Sequence, residues 1–223
     1  MTGRTRVSVT PAMSLVALFV AYGLVFFYPR TEVWAWQTDI SGTAGGGVFN
    51  ASVVDGCGNV VAAGATTNTD TGNDFTVVKL DGTSGAELWR QVIPGGGANA
   101  VTVDAVTVDE DGNVVAAGAI RTLATGPSFI VIKFDGVSGE ELWRQVIVGD
   151  GATGMAAAVV VDGEGDVVAA GRINTPSGSD FTVIKVDGSR GTELWRQAIK
   201  GAGHINYATA AAVHPSCVDG DQV

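Results

Sequence analysis

The pentapeptide Glu-Leu-Trp-Arg-Gln occurs three times, at 87–91, 141–145 and 193–197, each time near the end of a longer shared unit. Its tryptophans, Trp89, Trp143 and Trp195, are 54 and 52 residues apart, and the glycines closing Val-Val-Ala-Ala-Gly, at Gly64, Gly118 and Gly171, are 54 and 53 apart. Two markers with one spacing mean duplicated supersecondary units. A period of about 50 residues belongs to propellers and solenoids, whose units bury their apolar faces only against one another. In a chain of 223 residues the repeat takes up nearly everything after Trp34, with units at about 48–93, 99–147 and 155–199 and a partial one at 207–223. That leaves one repeat domain, 31–223, behind an N-terminal segment, 1–30.

The middle unit is the plainest. Residues 100–108 alternate apolar and polar, Asp109-Glu110-Asp111-Gly112-Asn113 forms a turn, and 114–120 is a second strand. Asp-Gly and Gly-Asn between apolar runs signal tight hairpins, because few residues tolerate positive φ. A third strand at 129–134, a turn at Asp135-Gly136-Val137-Ser138-Gly139 and a fourth strand at 141–147 complete a four-stranded antiparallel meander. The outer copies agree, at 59–66, 75–80 and 87–93 and again at 166–173, 181–186 and 193–199. The Ala-Ala-Gly triplets at 62–64, 116–118 and 169–171 suit a place where strands of several sheets converge. A tryptophan on each fourth strand can wedge between sheets, burying about 150–250 Å² apiece. The expected fold is therefore all-β, a β-propeller-like array of four-stranded antiparallel blades, three complete and others partial.

Thirty-two glycines and a 46% hydrophobic fraction beside 16% charged residues suit short buried strands joined by tight turns. Thirteen Lys and Arg against 23 Asp and Glu give a net charge of −10, which removes the basic footprint that nucleic-acid binding needs.

The N-terminus is of another kind. Arg4 and Arg6 precede an uncharged run at 12–28, and Pro29 and Arg30 follow it. Such a run is a signal peptide or a signal-anchor helix. Its one small-x-small candidate for cleavage, Ala21-Tyr22-Gly23, lies inside the apolar run, so the expectation is an uncleaved anchor contacting the membrane through 12–28. Two arginines before the run and one after it place the N-terminus in the cytoplasm and everything from Trp34 outside it. Cys57 and Cys217 align to the same turn of different repeats, beyond the Cα separation of about 7 Å that a disulfide tolerates. Two free thiols are expected.

With these residues in view, Lys79 to Arg90, Lys-Leu-Asp-Gly-Thr-Ser-Gly-Ala-Glu-Leu-Trp-Arg, resembles the tryptophan-bearing repeat of quinoprotein-type (PQQ-like) β-propellers. The preceding Asp-x-x-Gly-Asn-Val-x-x-x-Gly is similar to the blade repeat of bacterial secreted propellers. The resemblance covers Trp34 to Val223 and implies shape, since propellers of this kind include enzymes, scaffolds and proteins of other roles. For the dehydrogenases of that group it would imply a vicinal cysteine pair and acidic and amide ligands for a calcium-bound quinone, whereas Cys57 and Cys217 are far apart. Strand counting adds a puzzle: 32–36 resembles a lone fourth strand and 207–213 restarts a first one, while His214-Pro215-Ser216-Cys217 replaces the usual acidic turn. Either these pieces complete a fourth blade together, or the array belongs to a longer or self-associating propeller.

Residues that carry chemistry read mostly as structure. Asp109-Glu110-Asp111-Gly112-Asn113 has the outline of a calcium loop, but the other copies lack its ligand set and no bidentate glutamate follows, so a hairpin turn is expected. Lys79, Lys133 and Lys185, Asp81, Asp135 and Asp187, and Arg90, Arg144 and Arg196 recur in register. Catalysis needs an asymmetric set, so these are expected to join each unit to the next, with a ring-shaped ligand site as the alternative. His204 and His214 have no second metal ligand at a useful spacing. The loops 67–74, 121–128 and 174–180, rich in Thr, Ser, Asn and Gly, are candidate contacts for a protein or glycan ligand, or solvated connectors. No catalytic, cofactor-binding or metal residue is assigned and no cofactor is expected. The functional expectation is a non-enzymatic extracytoplasmic propeller module for protein interaction or scaffolding. The alternatives are a truncated quinoprotein-like dehydrogenase and a fragment without independent function.

Overall fold

The computed structural model describes residues 36–95, 101–121, 126–148, 153–175, 178–200, 208 and 210–212. The expected signal or anchor at 12–28, Cys217, His204 and His214 lie outside the described residues. Among the described residues no helix is long and apolar enough to cross a membrane.

Twelve strands form three four-stranded antiparallel sheets, each a meander in chain order. The first holds β1 (Gly46–Val54), β2 (Val60–Asn68), β3 (Gly72–Leu80) and β4 (Glu87–Ile93). The second holds β5 (Thr102–Val108), β6 (Val114–Arg121), β7 (Pro127–Phe134) and β8 (Glu141–Ile147). The third holds β9 (Gly154–Val161), β10 (Val167–Thr175), β11 (Gly178–Val186) and β12 (Glu193–Ile199). The first strands gather, β5 lying against both β1 and β9, as in blades around an axis.

Alternation along the middle sheet makes two cores. Val114 and Ala116 join Val61, Ala63, Phe75 and Val77 of the first sheet, while Val115 and Ala117 join Val159, Ala169 and Ile184 of the third. Side chains on a strand point alternately to opposite faces, so one strand can serve both neighbours. Each fully buried Ile or Phe contributes about 1.5–3 kcal/mol. The middle sheet is thus covered on both faces, whereas every residue of β12 is exposed.

Gly64, Gly118 and Gly171 differ from expectation in what crowds them. A Cβ on Gly64 would stand 2.1 Å from the Val48 carbonyl oxygen, and on Gly118 2.1 Å from that of Thr102. These are neighbours in the same sheet. The cause is a bulge at Asn50 in β1 and at Asp104 in β5, which swings the first strand's backbone over the glycine. The alanines beside them do the work expected between sheets.

The candidate contact loops are shorter than expected. Strands run to Asn68 and restart at Gly72, run to Arg121 and restart at Pro127, and run to Thr175 and restart at Gly178. Polar residues read as loop pair across the hairpin instead: Thr67 Oγ1 donates to Asn73 Oδ1 at 2.9 Å and Asn68 Nδ2 to Asp74 Oδ2 at 2.7 Å. Of those connections, 122–125 and 176–177 lie outside the described residues.

Candidate functional site

The most elaborate constellation is the junction between sheets. Each third-to-fourth-strand turn reads Asp-Gly-x-x-Gly, and the second glycine has φ of +69° at Gly85, +75° at Gly139 and +72° at Gly191. Only glycine adopts this conformation freely, and its bare backbone becomes a floor for an aromatic ring. Trp89 of the first sheet lies on Gly139 and donates its indole N–H to the Gly136 carbonyl at 3.2 Å. Trp143 lies on Gly191 and donates to Gly188 at 3.0 Å. Trp36, in a segment outside the three sheets, repeats the arrangement on Gly85 and Gly82 at 2.9 Å. Of the expected lone fourth strand at 32–36, Trp36 alone is described, and it sits where a fourth-strand tryptophan would.

Trp195 departs from this pattern. Trp89 and Trp143 are 8% exposed, but Trp195 is 47% exposed, so the expectation of three equivalent wedges fails at the third. The residue type is unchanged; among the described residues no turn lies beneath the ring.

Beside Trp89 and Trp143 a lysine crosses the same junction. Lys79 Nζ binds Asp55 Oδ2 of its own sheet at 2.8 Å and donates to the Gly136 carbonyl of the next at 2.7 Å. Lys133 does the same with Asp109 at 2.8 Å and Gly188 at 2.8 Å. Burial pushes the Asp55 carboxyl up, but Lys79, the Asn59 side chain and the backbone N–H groups of Asn59 and Cys57 outweigh it and hold it at about 2. Asp109 is opposed by burial and lowered by Lys133 and Asn113. Lys185 reaches no turn carbonyl of another sheet among the described residues. It binds Asp162 at 2.8 Å, Glu164 at 2.9 Å and Asp166 at 3.1 Å, and these carboxylates, Asp162 foremost, raise its pKa.

The recurring charges therefore divide. The lysines join one unit to the next, as expected, at the first two junctions. The aspartates close their own turns: Asp81 Oδ1 accepts Ser84 N–H at 2.7 Å and Asp135 Oδ1 accepts Ser138 N–H at 2.7 Å. Arg90, Arg144 and Arg196 pair with Glu87, Glu141 and Glu193 three residues earlier on the same strand. The roles of three residues escaped the sequence reading. Asp55 and Asp109 were read only as turn residues, though their alignment with Lys79 and Lys133 in every copy was a signal. Asp74, buried, gathers the Gly95 N–H, Asn68 and Thr71, and its signal was the recurrence of Asp-Phe-Thr-Val at 180–183, where Asp180 is buried too.

Among the described residues, Asp162, Glu164 and Asp166 bring ligand oxygens within 4.8 Å of one another. The Lys185 ammonium already lies among them. At the calcium-like turn, Asp109 Oδ1 accepts the Asn113 backbone N–H at 2.7 Å and Oδ2 takes Lys133 and the Asn113 amide, which is the bonding of a hairpin turn. Cys57 is a free, exposed thiol in the corresponding turn of the first sheet. A quinone site of the dehydrogenase kind does not fit this donor set, since the two cysteines stand at 57 and 217 and the carboxylates named here are bonded to lysines and turn amides.

Neither a protein-family model nor a curated protein matches the chain. Solved structures do. The chain is similar to the quinohemoprotein alcohol dehydrogenase from Comamonas testosteroni, with a TM-score of 0.50 and 17% identity over 68% of this chain and 28% of that one. It is also similar to a europium-containing methanol dehydrogenase, at 0.37 and 17% over 70% and 27%, and to BamB from Moraxella catarrhalis, at 0.18 and 14% over 67% and 62%. The chain spans about a quarter of the length of either dehydrogenase. At such identity the likeness to the alcohol dehydrogenase is one of fold: three antiparallel four-stranded sheets of the PQQ-like β-propeller kind.

Proposed function

We propose that the chain is a non-enzymatic extracytoplasmic β-propeller module for protein interaction or scaffolding, tethered to the membrane through 12–28. The observation that carries this reading is the use of the recurring charged residues. Lysines, aspartates and arginines in every copy are engaged by turns, strands and sheet junctions rather than aimed together at one point. An array built this way supplies rigid edges and turns, and propellers present partners with such surfaces. The exposed tip at Thr69 and Asp70 offers a hydroxyl and a carboxylate suited to a protein or glycan surface, and the connections within 121–128 and 174–180 are its proposed counterparts. The outside location rests on Arg4 and Arg6 before the uncharged run and Arg30 after it.

The test is site-specific photo-crosslinking in cells that make the protein. A photoreactive residue at Asp70 is expected to give a discrete adduct, and one at Gly112, in a turn at the other end of the hairpins, is expected to give none. No adduct at Asp70, together with a saturable rise in Tm when calcium and pyrroloquinoline quinone are added, would reverse the reading in favour of a quinoprotein fragment.

A further inference from the structure

We propose that the array stands on the membrane with its third-to-fourth-strand turns toward the bilayer and its loop tips away from it, because a strap at 36–45 carries the point of attachment from one end of the first sheet to the other. The meander defines the two ends. β1 begins at Gly46 beside Thr67, at the end where β2 turns into β3 and where Asp70 lies. The opposite end carries the turns 55–59 and 81–86, and in the other sheets 109–113, 135–140, 162–166 and 187–192. A chain entering β1 directly would arrive among the loop tips. Instead it arrives at the turn end. Trp36 donates to the Gly82 carbonyl at 2.9 Å and its ring lies on Gly85, whose carbonyl accepts the Thr38 hydroxyl at 3.1 Å. From there the strap runs the length of the sheet. The Arg90 guanidinium donates to the Ser41 carbonyl at 3.1 Å, Thr43 N–H to Asn68 Oδ1 at 2.8 Å and Ala44 N–H to the Thr67 carbonyl at 3.0 Å.

Lengths turn this attachment into an orientation, given the proposed tether through 12–28, on which the inference rests. Trp36 follows residue 28 by eight positions. Fully extended, that stretch spans at most about 26–29 Å. The nine-residue strands β2 and β3 are each about 30 Å long. With the loop tips pressed to the bilayer, Trp36 would stand a whole strand length above it, at the limit of its tether. With the turns toward the bilayer the tether is slack. Charge does not supply the preference, since Glu110, Asp111, Glu140 and Glu164 are exposed at the turn end and anionic headgroups would repel them. The preference comes from where the chain leaves the sheet. Its consequence for the proposed interaction surface is that the tip at Asp70 faces partners in the aqueous phase, while the Cys57 thiol lies on the membrane side.

The test is energy transfer from a donor dye on the full chain to acceptor-labelled headgroups in phosphatidylcholine vesicles, in a Cys217→Ser background. One protein carries the dye on Cys57, an exposed thiol at the turn end. In the other, Cys57→Ser and Asp70→Cys move it to the loop tip. Transfer from position 57 is expected to exceed that from position 70 about twofold or more, because the two lie roughly a strand length apart. Trp36→Ala combined with Thr38→Ala unpins the start of the strap and should narrow that difference, whereas residues that only stabilise the sheet would leave it unchanged in a variant whose circular dichroism is that of the wild type. If the double variant fails to fold, the comparison of 57 with 70 decides alone. Equal transfer from the two positions, greater transfer from 70, or a difference unmoved by the folded double variant overturns the orientation and leaves the tether standing. Protein that does not float with the vesicles overturns both, since the orientation needs the tether.

Discussion

Trp143 and Trp195 close the same pentapeptide on equivalent strands, yet one is buried at 8% exposure and the other stands at 47%. Their sheets differ in one respect. The middle sheet has a neighbour on each face, and the third has one on the side of β7 and none of the three on the side of β12. Burial in such an array is a property of junctions rather than of strands, and the same residues change from core to surface when the next turn is removed. The lysines teach the same lesson electrostatically. Lys133 is confined between Asp109 and a carbonyl of the next sheet, and Lys185, lacking that carbonyl, spreads over three carboxylates of its own.

The largest expected difference is between the tryptophans. Trp143→Ala should destabilise the fold by about 3–5 kcal/mol, because the rigid glycine floor and its neighbours cannot collapse into the space. Trp195→Ala should cost under about 1 kcal/mol at concentrations where the chain is dispersed. Urea unfolding of both variants decides it. Equal losses would mean that the third junction is filled after all and the comparison is void.

Next come the lysines. Lys133→Met leaves the Asp109 carboxylate buried with only Asn113 for company, and about 3 kcal/mol should be lost. Lys185→Met releases carboxylates that water already reaches, and the loss should be near 1 kcal/mol or less. If the methionine at 185 proved as costly as that at 133, the acidic cluster would be a strained site held together by its cation rather than a relaxed surface.

Glycines sharpen the argument at closer range. Gly139 and Gly112 both have positive φ, at +75° and +83°, so alanine is strained at each by roughly 1–2 kcal/mol. At Gly112 the added methyl meets nothing within 4 Å, while at Gly139 it would stand 2.7 Å from the Trp89 ring. Gly139→Ala should therefore cost about 1–2 kcal/mol more than Gly112→Ala. Thermal melts with matching losses would show that the ring shifts aside at no cost and that the glycine floor is incidental.

Much of this architecture was legible because repetition is local. Hairpin turns, alternation and the tryptophan period are written within each unit, so sheet number and strand order follow from the residues. What each repeated residue touches in the next unit was less legible. The hydrogen bond of Lys79 to Gly136 joins positions 57 apart and that of Trp89 to Gly136 joins positions 47 apart, and no spacing rule within one unit announces either. The bulges at Asn50 and Asp104 were invisible for a related reason: an extra residue in a strand leaves the apolar alternation nearly unchanged on each side. Strand ends were misplaced where Thr, Asn and Asp extend the hairpins, since their composition matches that of loops while their cross-strand hydrogen bonds are those of a sheet. The candidate site suffered most, because an open junction is recognised only against filled ones.

The smallest expected effect is in the response to acid, where the first and third sheets can be compared through Asp55 and Asp162. Asp55 titrates at about 2 in the folded protein against 3.8 as an ordinary carboxyl, so its ion pair stabilises the fold above about pH 4 and loses that contribution as pH falls through about 2. Asp55→Asn should therefore be less stable than wild type at neutral pH, with the gap closing between about pH 4 and 2 as the wild-type carboxylate takes up its proton. Asp162 is lowered in the same direction, opposed by burial and favoured by Lys185. Its loss is softened because Lys185 keeps Glu164 and Asp166 as partners. The gap for Asp162→Asn should accordingly be smaller at neutral pH and close less on acidification. Urea midpoints of the two variants and the wild type at a series of pH values measure both gaps. If the Asp162 variant shows the larger pH-dependent gap, the uncovered third sheet holds the tighter ion pair, and the link between a filled junction and a strong lysine pair is broken.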